Sequence, residues 1–163
     1  MFKKSAEGFT LVEVLVYMSI FVLLSGGALG LLFSLSDLFT QYKMRQALLT
    51  TGTSAMERMV LEIREADSVL ATSTGMVTLR NSLDTISFQK NGSQLDLYKN
   101  GVLQSTLNTS TVEVMNVSFH SYVLNQVELV RIQLVLRSFV GTQSEAWTIN
   151  SGVILRGSYD KSS

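Results

Sequence analysis

The apolar positions along this chain change their spacing twice. From Phe9 to about Ser36 they run almost without interruption, and no charged residue occurs between Val14 and Ser36. From 37 to about 66 they recur at helical spacing, most clearly at Met56, Met59, Val60 and Ile63. That i, i+3, i+4, i+7 set predicts a helix with one buried stripe, with Glu57, Arg58, Glu62, Arg64 and Glu65 facing elsewhere. Arg58 and Glu62 are spaced for an i, i+4 ion pair. After Asp67 the period becomes two. In "DTISFQKNGSQLDLYKNG" Ile86 and Phe88 alternate before Asn91-Gly92, and Leu95 and Leu97 alternate after it. Asn-Gly between alternating runs signals a hairpin, because both residues tolerate positive φ. A second turn is expected at Asn100-Gly101, followed by Val102 and Leu103. Further strands are expected at Val112–Phe119, Val127–Leu136, Ala146–Ile149 and Val153–Arg156. In "VELVRIQLVLR" Val130, Ile132, Leu134 and Leu136 share one face, which Glu128 interrupts at its start, while Arg131, Gln133 and Arg137 occupy the other.

These patterns predict an α+β fold. One long helix, from Phe9 to about Ala66, has an apolar first half and an amphipathic second half, and the second half covers a meander-like antiparallel sheet. The expected segments are a leader at 1–8, a membrane and assembly helix at 9–36, an amphipathic continuation at 37–66 and a sheet domain at 67–163. No proline is present to kink the helix. Gly26, Gly27 and Gly30 fall in the apolar half, where lipid protects helical hydrogen bonds. Gly52 falls beyond it, so whether the helix continues through that residue stays open.

Composition narrows the function. The chain has 163 residues, 46% of them hydrophobic, and its mean hydropathy is positive. That excess sits in the N-terminal run, which exceeds the roughly 20 apolar residues a bilayer-spanning helix needs. Lys3 and Lys4 precede it, which places the leader in the cytoplasm and the sheet domain outside the membrane by the positive-inside rule. Net charge is zero, and the remainder stays balanced when the leader and Glu13 are set aside. The chain therefore offers no electrostatic ground for a nucleic-acid partner. Without cysteine there is no disulfide and no thiolate chemistry.

No catalytic constellation emerges, so the chain reads as a non-enzyme. His120, the single histidine, lies in "VSFHSY" and fits a partly exposed strand residue better than a base. Asp84, Asp96 and Asp160 are scattered, with no calcium-loop spacing. "SGGALG" lacks the lysine of a phosphate loop and lies within the apolar run. Arg131, Arg137 and Arg156 fit a solvated face, and Trp147 and Tyr122 fit the core. No cofactor or metal is implied.

One feature remains: "EGFTLVEVLV", in which an apolar run opens on a glycine and carries a lone carboxylate, Glu13. A carboxylate deep in a bilayer helix costs about 2.5–3.5 kcal/mol on insertion scales, and the positive end of the helix dipole softens that near a helix start. "GFTLVEVLV" after a short basic leader resembles the type IV prepilin signature. The resemblance implies cleavage between Gly8 and Phe9 by prepilin peptidase, N-methylation of the new terminus at Phe9, and retention of the apolar helix. It implies that Glu13 serves assembly by pairing with the Phe9 amine of a neighbouring subunit, with Thr10 close by. The order of "LDTISFQ", "QLDLYKNG", "VEVMNVSFHSY", "VRIQLVLR" and "WTINSGVILR" is similar to minor pilins and pseudopilins of the J or W kind. The implied partners are other pilins or pseudopilins of a pilus or type II secretion filament and an inner-membrane assembly platform. Two other readings stay open: a signal-anchored extracytoplasmic binding protein that never polymerises, and a competence pilin contacting DNA.

Overall fold

The computed structural model describes residues 10–124 and 127–158. Its elements are one α-helix, α1 (Leu11–Glu65), eight strands, and a closing 3₁₀ turn at Arg156–Ser158. Strands β1 (Ser68–Ser73), β2 (Met76–Asn81), β3 (Asp84–Asn91), β4 (Gln94–Lys99) and β5 (Val102–Thr106) form a five-stranded antiparallel meander. Strands β6 (Val112–Leu124), β7 (Val127–Val140) and β8 (Gln143–Ile154) form a second, three-stranded one. The class is the expected α+β, a long N-terminal helix packed on antiparallel sheets. The chain divides into two units, Met1–Thr40 and Gln41–Ser163.

In the first unit every side chain from Leu11 to Phe39 is exposed or only partly covered. In the second, α1 buries Met44, Leu48, Thr51, Gly52, Ala55, Met56, Met59, Glu62 and Ile63, a stripe with the helical period. The stripe begins three turns before Met56, where the sequence pattern was clearest. Met59 and Ile63 are wholly buried, and each such side chain contributes roughly 1.5–3 kcal/mol. They join one core with Val77, Leu79, Ile86, Phe88, Leu95 and Leu97 of the first sheet. Val130, Ile132, Leu134 and Leu136, read as one face of β7, complete it from the second sheet.

The hairpin turns follow two chemistries. At Asn100-Gly101 both residues have positive φ, 53° and 78°, between the paired Lys99 and Val102, as a type I′ turn requires. At the other Asn-Gly the turn is displaced by one residue. Asn91 pairs with Gln94 and only Gly92 has positive φ, at 60°, so glycine takes the first central place of the loop, as in a type II′ turn.

Five expectations need correction. The sheet is two sheets, because the chain leaves β5 at Leu107 and Asn108 takes over the pairing. The Asn108 Oδ1 accepts from the Leu95 N–H at 2.9 Å, and its Nδ2 donates to the Ser93 and Val112 carbonyls at 3.1 and 2.7 Å. Strands β1 and β2 occupy a segment in which no strand was expected. The two strands expected at Ala146–Ile149 and Val153–Arg156 are one, because Ser151 and Gly152 stay paired to Ile132 and Arg131 of β7. Glu62 does not face solvent: it is buried beside Arg58, 2.5 Å away. Tyr122 lies outside the core on the outer face of β6, at 46% exposure. Trp147 packs against the core from β8, half-buried.

Strand β6 carries a bulge between Val114 and Asn116. The extra residue resets the alternation, so Val112 and Val114 before it and Val117 and Phe119 after it all face the core. Glu128, the interruption at the start of the β7 apolar face, accepts from the Ser121 hydroxyl at 3.0 Å and the Val69 N–H at 3.5 Å.

Candidate functional site: the first turns of the long helix

Thr10 is the residue before the helix, and its side chain does what an N-cap does. Its Oγ1 accepts from the Glu13 N–H at 3.3 Å, and its carbonyl accepts from the Val14 N–H at 3.2 Å. The first N–H groups of a helix have no partner within it, and a threonine hydroxyl answers one of them. The spacing Thr10-x-x-Glu13 is that of a capping box, and Glu13 is the acidic residue of the first turn. The helix dipole favours a negative charge there by roughly 0.3–1 kcal/mol.

The carboxylate does not fold back onto the cap. It reaches one turn forward, where the Tyr17 hydroxyl donates to Glu13 Oε1 at 3.2 Å. Tyr17 was not singled out from the sequence, although its i, i+4 spacing from Glu13 was the available signal. The two side chains stay open to the surroundings, Glu13 partly covered and Tyr17 half exposed. Val14, Tyr17, Met18 and Phe21 line a shallow apolar hollow on the same stretch of helix. A single anionic group thus stands at the head of an otherwise uncharged, unburied helical surface. The stretch is long and apolar enough to cross a membrane. Gly8 and Phe9, the expected cleavage and methylation positions, lie outside the described residues.

The other candidates lie elsewhere. His120 and Arg131 are cross-strand neighbours on β6 and β7. Arg137 is held by Glu113, with its Nη2 2.6 Å from Oε2. Asp84 pairs with Lys99 at 2.7 Å. Asp96 is buried and accepts from the Thr106 hydroxyl at 2.7 Å. Asp160 lies outside the described residues.

No curated protein and no solved structure is significantly similar to this chain. One protein-family model does match, the prokaryotic N-terminal methylation motif, over residues 3–29. That span holds the basic leader, the Thr10 cap, Glu13 and the opening turns of the exposed apolar helix. The amino-terminal segment of this chain therefore carries the prokaryotic N-terminal methylation motif, the leader signature of type IV prepilins.

Proposed function

We propose that the protein is a minor type IV pilin or type II secretion pseudopilin, a structural subunit that acts by assembly. The observation that carries this reading is the position of Glu13. It is a lone carboxylate at the N-terminal turn of an uncharged helical stretch, inside the matched motif, one turn from Tyr17, whose hydroxyl donates to it. Prepilin peptidase cuts between Gly8 and Phe9 and methylates the Phe9 amine. The subunit then waits in the cytoplasmic membrane, leader side in, sheet domain out. On assembly, Glu13 pairs with the terminal amine of a neighbouring subunit's Phe9.

In low-dielectric surroundings a pair of opposite charges attracts strongly, and an uncompensated one is costly. The pair therefore fixes the axial register between helices. The apolar side chains around it, among them Leu11, Val14, Leu15 and Phe21, exchange lipid for protein. Lipid is as apolar as leucine, so the gain comes from close packing. Residues from Gln41 onward supply the compact unit by which a filament end is distinguished from its shaft.

Intact-mass measurement of the protein purified from membranes that contain the peptidase tests the reading. A chain that begins at methylated Phe9 supports it. A chain that retains residues 1–8 identifies a signal-anchored protein that stays single.

A further inference from the structure

We infer that the outer face of the three-stranded sheet binds an acidic saccharide. On that face Ser118, His120 and Tyr122 of β6 and Arg131 and Gln133 of β7 line an open hollow of about 290 Å³. The fold does not use the polar ends of four of them. Among the described residues, the side chains of His120, Tyr122, Arg131 and Gln133 make no hydrogen bond or ion pair. Their polar ends are left for a partner from outside the molecule.

A second observation concerns Gly152. It sits in the middle of β8, directly across from Arg131. Its φ is not positive and a Cβ built on it would meet nothing within 4 Å. Neither backbone conformation nor packing calls for glycine there, and glycine in a strand weakens it. Such a glycine marks a place where something else approaches the backbone. Gly152 thus places no side chain beside Arg131 at its cross-strand position on β8.

Charge selects an acid. The outward positions of the sheet hold one described carboxylate, Glu113, and Arg137 already occupies it. Arg131 is thus a free guanidinium with no acid facing it, and its planar fork suits a carboxylate held by two parallel bonds. Shape and hydrogen bonding select a sugar. Gln133 and Ser118, with Asn150 across the strand from Gln133, both donate and accept, as ring hydroxyls do. Tyr122 and His120, two residues apart on one face, offer flat rings for the apolar side of a pyranose. The hollow is at the small end of ligand sites, the size of one sugar unit. A nucleic-acid strand needs a row of cations, and this face has one unpaired guanidinium.

The inference does not depend on polymerisation, and its test separates the two. The full-length protein in detergent micelles is titrated calorimetrically with trigalacturonate, with the neutral galactose trimer, with inorganic phosphate and with a thymidine oligonucleotide. The uronate is expected to bind saturably and the neutral trimer to bind at least tenfold more weakly, the order of effect of losing a charged hydrogen bond. Arg131→Gln is expected to weaken uronate binding about tenfold or more. Gly152→Leu is expected to abolish binding while the unfolding temperature holds, since its side chain enters open space. Equal binding of the neutral trimer, unchanged binding by both variants, or displacement of the uronate by phosphate or the oligonucleotide at equal concentration overturns the inference.

Discussion

Gly52 of the helix and Ile149 of β8 are packed so closely that a side chain at 52 must push the tip of Ile149 aside. A Cβ there would lie 2.5 Å from Ile149 Cδ1, 3.0 Å from Leu136 Cδ1 and 3.2 Å from Trp147 Cζ3. The residue that read as a possible break is one where the helix lies close against the sheet, and α1 runs through it. Gly52→Ala gains roughly 1 kcal/mol of helix propensity and meets overpacking of roughly 1–3 kcal/mol. The net change is a modest loss, and Gly52→Val loses more. Ile149→Val removes the closest atom, so the double variant Gly52→Ala/Ile149→Val should be more stable than the sum of its singles. Denaturant unfolding of the four proteins checks this; strict additivity would show that the contact is not the constraint.

That contact also shows where sequence reading stops. The period of Met56, Met59 and Ile63, the alternation of β7 and the Asn100-Gly101 turn were legible because each is a local rule. The methylation motif over residues 3–29 was legible because it is a linear signature, read without knowledge of the fold. Gly52 was not, since what a missing Cβ makes room for depends on strands nearly a hundred residues away. Nor was the burial of Glu62 or the division into two sheets, which turns on where one asparagine amide points. Tyr17 was within reach of an i, i+4 argument, and its apolar neighbours hid it.

Asn108 joins the two sheets through three backbone groups, the Leu95 N–H and the Ser93 and Val112 carbonyls. Asn108→Ala takes its partner from the Leu95 N–H and its donor from the Ser93 and Val112 carbonyls, although Ser93 still accepts from the Val114 N–H at 2.9 Å. It is expected to cost about 1–3 kcal/mol. Asn108→Asp keeps the acceptor for Leu95 and loses the donors to both carbonyls, so aspartate should not rescue. Urea midpoints of the two variants against the parent protein measure this. A full rescue by aspartate would mean that the Leu95 bond alone matters.

Asp84 and Lys99 close the hairpin before Asn100-Gly101, and each shifts the other. The Lys99 ammonium, and then the Asn100 amide at 2.8 Å, hold the Asp84 carboxyl below its ordinary 3.8. The Asp84 carboxylate holds Lys99 above its ordinary 10.5. A lowered acid stabilises the fold above its unfolded value and loses that contribution as pH falls through the lowered one. A raised base stabilises below its unfolded value and loses that contribution as pH rises through the raised one. The pair therefore contributes fully between about pH 3.8 and 10.5, and only modestly, because both ends are solvated. Asp84→Asn should flatten the acid side of the unfolding-temperature profile and weaken the alkaline side. An unchanged profile would remove the pair from the account of stability.

The Tyr17 hydroxyl and the Glu13 carboxylate, 3.2 Å apart, make a prediction that separates membrane residence from assembly. If the proposed assembly holds, the hydroxyl meets one oxygen of a charge that lipid cannot solvate and leaves the other for the incoming amine. Glu13→Val removes the charge, so the chain should insert and mature normally, yet fail to enter filaments. Tyr17→Phe keeps the charge and removes its local donor, so residence should suffer more than pairing. The variant should mature more slowly or turn over faster in the membrane, while the molecules that survive still co-assemble. Pulse-chase of the mature form, with recovery of the variant in sheared filaments, reads both steps. If Glu13→Val assembles like the parent, register is set by something other than charge. If Tyr17→Phe behaves like Glu13→Val, the hydroxyl belongs to the intersubunit contact rather than to the waiting subunit.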